Sequence, residues 1–219
     1  MISPVLLKDL RIEFRSRFGV SAIVMFLLVT VTTILFSAPG EEFTSGIMSA
    51  FFWIALFFGA MTGLARSFIA EEERGTALML RLYAKADAVF WGKYLFNLLL
   101  NFTLALCAVT FFAFFMVDFT IRDVPIFALQ LILSCIGTAA VITMLSAIVS
   151  RAAQKGALLP VLALPVLMPL VIAATDATRI TMEVPSAWEG ARGDILILFS
   201  FDVAITLVSY VLFSAIWRD

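Results

Sequence analysis

The chain has 219 residues, of which 63% are hydrophobic and only 14% are charged, and its net charge is −1 at pH 7. A soluble domain carries about a quarter charged residues, so this composition indicates a membrane protein. The balanced charge gives no basic surface for nucleic acid, and the absence of histidine excludes histidine-based zinc sites, general bases and haem ligands.

The first predicted element is an amphipathic helix at residues 3–17. Leu6, Leu10 and Phe14 recur at helical spacing, and basic side chains occupy another face. This pattern is typical of a helix lying in the membrane interface. A signal peptide is the alternative, but the apolar run that follows is longer than the ~7–15 residues of a signal-peptide core, so we expect an uncleaved first span.

Charged residues divide the rest of the chain into six long apolar windows. Each window has 20 to 27 residues, and a helix needs roughly 20 apolar residues to cross a bilayer. The sequence does not show the ~10-residue alternating segments of a membrane β-barrel. It therefore predicts an all-α membrane protein, a single domain of residues 1–219, with spans at residues 18–40, 43–65, 94–117, 124–150, 156–175 and 195–217.

The distribution of lysine and arginine predicts the orientation of these spans. Twelve of the fifteen basic residues fall on the side that carries both termini and residues 66–93. Basic residues accumulate on the cytoplasmic side of membrane proteins. We therefore expect both termini, and the loop between spans two and three, in the cytoplasm.

Residues 66–93 form the main charged stretch, with five of the fifteen basic and four of the sixteen acidic residues. Such a segment cannot lie in hydrocarbon, so it is an aqueous loop. Within it, Gly75 allows a tight turn, Thr76 can cap a following helix, and the acidic cluster before that helix suits its positive dipole end. We predict a cytoplasmic helix here; an ordinary amphipathic helix on the membrane surface is the alternative.

Span five contains three prolines, Pro160, Pro165 and Pro169. Each removes a backbone donor and clashes with the carbonyl four residues earlier. In lipid the freed carbonyls need partners, so we expect this helix to be kinked or broken. It is then either a packing helix or a hinge or cavity-lining element.

Span six contains one acidic residue, Asp202. An aspartate in the middle of a membrane costs about 2.5–3.5 kcal/mol on insertion scales. Asp202 has two possible roles. In the structural one it forms a hydrogen bond with a neighbouring helix or is solvated near the outer leaflet; in the functional one it lies on a transport path. The two cysteines, Cys107 and Cys135, lie in apolar runs, and we expect them to be buried thiols.

No motif of a catalytic centre occurs in the sequence. It contains no phosphate-binding GxxxxGK[ST] loop, no GxSxG and no HExxH. A membrane enzyme would need convergent acids, histidines or a nucleophile at one membrane face. We therefore expect a non-enzymatic chain that binds no metal and no cofactor.

The sequence EEERGT at residues 71–76, followed by an apolar helix, a turn and Gly-Lys before the next span, resembles a loop of ABC-2-type exporter permeases. In that group, the loop between spans two and three forms a coupling helix that docks in a groove of the cytoplasmic ATPase. The resemblance implies an ATPase-coupling set in this chain, consisting of Glu71, Glu72, Glu73, Arg74, Gly75, Thr76, Leu78, Leu80 and Arg81.

Over its full length the chain resembles the haem exporter protein B family, the CcmB-type permeases of cytochrome c maturation. Its length, its six spans and the proline-rich KGALLPVLALPVLMPLVIAAT segment carry this resemblance. It implies a permease subunit in the bacterial inner membrane, with ATP bound by a CcmA-type ATPase. Haem would lie on partner subunits: the resemblance implies a haem-handling CcmC-type membrane subunit, a CcmD-type small membrane helix, and a CcmE-type chaperone whose haem-loaded form the complex releases.

Two other functions remain open at this point. The same scaffold could export a lipid or another small molecule as an ABC-2-type permease. The chain could also be an assembly scaffold without energy coupling.

Overall fold

The computed structural model describes residues 3–37, 40–64, 71, 75, 80, 85–150 and 155–218. Within these residues the chain forms seven helices and no strand, and six of the helices are long and apolar enough to cross a membrane. The prediction of an all-α protein with six spans is therefore confirmed.

The helices are numbered here in chain order. The short first helix precedes the six long ones, which cover most of the chain. Their bounds are α1 Ser3–Ser16, α2 Phe18–Ser37, α3 Ser45–Gly63, α4 Ala86–Phe115, α5 Val124–Val149, α6 Lys155–Glu183 and α7 Trp188–Arg218.

Helix α5 lies at the centre of the bundle and packs against α4, α6 and α7. Its buried face is rich in small and hydroxylic residues, among them Gly137, Ala139, Ala140 and Ser146. Small side chains let helix backbones approach closely where no hydrophobic force drives helices together in lipid. Helix α2 is at the edge and packs on α3 and α4, with large apolar side chains exposed on its other face.

The loops opposite residues 66–93 are joined by polar contacts around Asp123. One carboxylate oxygen of Asp123 accepts from Ile126 N at 3.2 Å and so caps α5. The other accepts from Ala187 N at 2.7 Å, in the link between α6 and α7. Arg122 N and Asp123 N both donate to the carbonyl oxygen of Thr181. These bonds fix the start of α5 against the α6–α7 link.

Three helices extend past the uncharged windows of the sequence. Helix α4 begins at Ala86, so the last residues of the predicted 66–93 loop are helical. Helix α6 continues to Glu183 and α7 begins at Trp188, which leaves four residues between them. Charged residues can continue a membrane helix into water because its backbone hydrogen bonds are made within the helix.

Helix α6 runs continuously through Pro160, Pro165 and Pro169. Pro165 and Pro169 are exposed on the surface of the chain and Pro160 is half-buried. Their rings therefore lie away from the centre of the bundle. A role for the three prolines as a hinge stays a prediction.

Candidate functional site

Helix α1 presents one charged residue to the inside of the protein. Val5 and Asp9 lie four residues apart, on one face of the helix, and both are buried against the rest of the chain. The opposite face carries Leu7 and Phe14, which are exposed. Leu6 and Leu10 are half-buried and pack against the core. Whether the exposed face lies on a membrane stays a prediction.

Asp9 meets a fully buried lysine on α4. The Nζ atom of Lys93 lies 2.9 Å from Asp9 Oδ2 and also contacts Glu71 Oε1. The Nζ atom of Lys8 contacts the same Glu71 oxygen and lies 3.4 Å from Asp9 Oδ1. We call these four residues, Lys8, Asp9, Glu71 and Lys93, the ion cluster.

The ion cluster brings together two cations and two anions, so its charges cancel. Taking an ion out of water costs several kcal/mol, and this cost is offset only when each charge faces a partner. Removing one partner from such a cluster leaves a buried charge uncompensated, at a cost of about 3–5 kcal/mol. The cluster therefore fixes α1, α4 and the loop residue Glu71 relative to one another.

The charge state of Glu71 follows from its neighbours. Burial alone would raise the pKa of Glu71, but the Coulomb attraction of Lys93 and the hydrogen bonds from Lys8 and Lys93 outweigh it. The pKa of Glu71 is therefore lowered from its ordinary value of 4.5. The carboxylate stays ionised at neutral pH and holds both lysines.

Three residues of the predicted ATPase-coupling set lie within the described residues. Glu71 is buried and belongs to the ion cluster, and its role in contact with an ATPase stays a prediction. Gly75 is exposed and has φ +67°, the left-handed conformation that glycine adopts without strain. Leu80 is half-buried and packs against Val89, Phe90 and their neighbours.

The other six predicted coupling residues lie outside the described residues. These are Glu72, Glu73, Arg74, Thr76, Leu78 and Arg81. The predicted cytoplasmic helix of the loop depends mainly on them and stays a prediction.

Asp202 lies near the middle of α7, because this 31-residue helix begins at Trp188, before the predicted span. It is only 5% exposed. Neither of its carboxylate oxygens has a hydrogen-bond partner among the described residues. The structure therefore shows Asp202 enclosed by neighbouring helices rather than near an outer surface.

A second polar region lies between α3, α4, α5 and α6, and encloses a cavity of about 20 Å³. Asn101, Ser134, Cys135 and Thr138 contribute the polar part of its wall. A cavity needs about 10–15 Å³ to hold one water molecule, so this one has room for a single water. It is too small for haem or a lipid in this state of the protein.

A hydrogen-bond network lies near the cavity. Trp53 Nε1 and Gln130 Nε2 both donate to Thr178 Oγ1, at 2.8 and 2.7 Å. Asn97 Nδ2 donates to Thr143 Oγ1 at 2.9 Å, joining α4 to α5. These bonds satisfy donors that would otherwise be costly to bury.

Sequence reasoning did not identify Asp9, Asn97, Asn101 or Gln130 as internal contacts. A signal was present for two of them, because Asn97 and Asn101 stand four residues apart inside an otherwise apolar window. Asp9 could have been noticed because it and Glu13, four residues apart, lie beside the apolar side chains of an amphipathic helix. The described residues contain no group of three or more acidic, cysteine or histidine side chains that could hold a metal ion.

The chain matches one protein family along almost its whole length. A family model described as CcmB protein matches residues 1–218. No curated protein matches the chain.

Proposed function

The chain belongs to the CcmB family, membrane permeases of a haem-export ABC system for cytochrome c maturation, and we propose that it receives the motion of an ATPase through the ion cluster. Membership of this family and the six apolar helices make it a multi-pass membrane permease whose partner is an ABC ATPase of the CcmA type. This membership favours haem handling over the alternative of a lipid exporter.

The proposed contact with the ATPase is the loop of residues 66–93. We place this loop and both termini in the cytoplasm of a bacterium, with the helices in the inner membrane. The excess of basic residues on that side supports this orientation. Glu72, Glu73 and Arg74 are the charged residues of the loop that would meet the ATPase, while Glu71 points inward.

The observation that carries the proposal is the position of Glu71. This loop residue contacts Lys8 on α1 and Lys93 on α4. Movement of the loop that separated Glu71 from these lysines would leave buried charges unpaired, so moving both helices with it costs less. ATPase closure would thus displace α1 and α4 together, and α4 packs directly on the central helix α5.

The proposed role in haem handling is mechanical. The chain contains no histidine, so a histidine ligand of haem would come from neighbouring subunits, such as the haem-handling CcmC-type subunit. Movement of α4 and α5 would be relayed to these neighbours and would release the haem-loaded CcmE-type chaperone. ATP is bound by the ATPase, and this chain binds no cofactor of its own.

The test distinguishes docking of the ATPase on the loop from transmission of the ATPase motion through the ion cluster. In the double variant Glu72→Lys/Glu73→Lys, reversed charges should weaken co-purification of the ATPase by about tenfold or more, equivalent to at least about 1.4 kcal/mol. In Glu71→Gln the ATPase should still co-purify, but ATP-dependent release of the haem-loaded chaperone should fall. Glu189→Lys, an exposed acid at the start of α7, is the matched control and should change neither.

Two results would contradict the proposal. The first is undiminished association of the ATPase with the double variant. The second is normal chaperone release in Glu71→Gln, which would show that the ion cluster does not transmit the motion. Loss of the ATPase in Glu189→Lys would instead overturn the orientation.

A further inference from the structure

Among the described residues, Asp202 is the buried acid that has neither an ion pair nor a hydrogen bond: Asp123, the other buried acid without an ion pair, accepts hydrogen bonds from backbone N–H groups. Asp9 and Glu71 both contact lysines, whereas the ion pairs found in the described part of the chain do not include Asp202. Its two oxygens also lack hydrogen-bond partners within that part. An ionised carboxylate in such surroundings is strongly disfavoured, because neither water nor a counter-ion stabilises its charge.

The space around the carboxyl group is defined by α5 and α6. A Cβ atom added to Gly137 would lie 2.4 Å from Asp202 Oδ1 and 2.6 Å from Leu170 Cδ1. The carboxyl oxygen therefore lies against the backbone of α5 at Gly137, where an added methyl group would require the side chains of Asp202 and Leu170 to shift. Leu170 closes the site on the side of α6 and also lines the 20 Å³ cavity.

Among the described residues, the titratable groups that interact electrostatically with Asp202 are a phenol and a thiol. Tyr94 on α4 and Cys135 on α5 are close enough to interact electrostatically with its charge. Neither group supplies a positive charge. Helix α6 contributes the apolar side chain of Leu170 at this point.

We infer that the Asp202 carboxyl is a proton-binding site inside the helix bundle, and that proton binding is linked to the packing of α7 on Gly137. The proton neutralises the carboxyl group while the two helices are in contact. Loss of the proton creates a charge that needs water, which favours separation of α7 from α5. By linkage, separation of the helices in turn favours release of the proton. The inference does not depend on the proposed coupling to an ATPase.

The experiment is infrared spectroscopy of the full chain in lipid bilayers at neutral pH. Protonated and ionised carboxyl groups have separate stretching bands. The wild type should show a protonated-carboxyl band that is lost in Asp202→Asn and kept in Asp176→Asn, a matched control whose side chain is half exposed and paired with Arg179. Raising the pH should remove this band from the wild type.

A second measurement tests the link to packing. Protection factors for hydrogen–deuterium exchange of α5 and α7, which remove the rise of the intrinsic exchange rate with pH, should fall in the wild type as the protonated band is lost and should stay constant in Asp202→Asn. If Asp202→Asn does not fold, wild type carrying ¹³C-labelled aspartate should still show a shifted protonated-carboxyl band at neutral pH.

Three outcomes would overturn the inference. One is loss of an ionised-carboxylate band, rather than a protonated one, in Asp202→Asn at neutral pH. Another is a labelled wild type with no protonated aspartate band. The third is an equal pH-dependent fall of the protection factors in both proteins, which would show that helix packing does not depend on the Asp202 proton.

Discussion

The ion cluster and Asp202 both place carboxyl groups inside the protein, where a negative charge is costly, but their surroundings differ. In the ion cluster, Asp9 and Glu71 are held by Lys8 and Lys93, so the carboxylates keep their charge. At Asp202 the surroundings hold no cation among the described residues, so the carboxyl group is stable only when neutral. Burial alone therefore does not determine the charge of an acid; the partners that the fold brings to it do.

This comparison has a functional meaning. A cluster of paired charges resists separation, which suits a contact that keeps α1, α4 and Glu71 together when they move. An isolated carboxyl group responds to small changes of its surroundings, which suits a site that gains and loses a proton. The first region lies near the loop of residues 66–93 and the second lies near the middle of α7.

The largest effect is expected from breaking the ion cluster at its buried lysine. Lys93→Met removes one of the two lysines that contact the buried carboxylates of Asp9 and Glu71, and should lower the free energy of unfolding by about 3–5 kcal/mol. Thermal unfolding of the full chain in detergent or lipid discs would measure this loss. The matched control is Lys85→Met at an exposed position, which should stay near wild type.

Adding Glu71→Gln to Lys93→Met should recover part of the lost stability, because one of the unpaired charges is then removed. Equal stability of Lys93→Met and Lys85→Met would mean that the four charges are not a structural unit.

An intermediate effect is expected where Asp202 meets α5. Gly137→Ala places a methyl group in contact with Asp202 Oδ1 and Leu170, and overpacking of this kind costs about 1–3 kcal/mol. The same unfolding measurement applies. Gly193→Ala on α7 is the control, because an added Cβ meets no atom within 4 Å there.

Combining Gly137→Ala with Asp202→Ala should reduce the cost, since one of the two clashing groups is shortened. A Gly137→Ala variant as stable as Gly193→Ala would show that α5 and α7 are not in close contact at this point.

The smallest effect is expected from the pH dependence of Glu71. The pKa of Glu71 is lowered in the folded state, so its contribution to stability is complete above the ordinary value of 4.5 and is lost as pH falls through the lowered value. Below pH 4.5, wild type should therefore lose more stability than Glu71→Gln does. Unfolding measured across this acidic range is the test.

The control for this prediction is Glu189→Gln, at an exposed position, which should follow the wild-type curve. Parallel curves for wild type and Glu71→Gln would show that the lysines do not hold the ionised form of Glu71.

The sequence determined the class of the protein, the number of spans and the family. Long windows of uncharged residues leave a chain no alternative to membrane helices, because backbone groups must be satisfied within each helix in lipid. The charge pattern of residues 66–93 predicted an aqueous loop for the same reason, although the residues from Ala86 onward are helical and Lys93 is buried. The family resemblance rested on motifs that occur in order along the chain, and the match over residues 1–218 confirmed it.

Only the tertiary structure decided which charged and polar residues meet. Glu71 was predicted as one residue of an ATPase-coupling set, and the structure adds its contacts with Lys8 and Lys93, which are 63 and 22 residues away in sequence. Asp202 was predicted eight residues inside a span that starts at residue 195, whereas α7 starts at Trp188, which places Asp202 near the middle of the helix, against Gly137 of α5. Periodicity shows which face of a helix is polar, but the partner of a buried charge depends on how separate helices pack, and that information is spread over the whole chain.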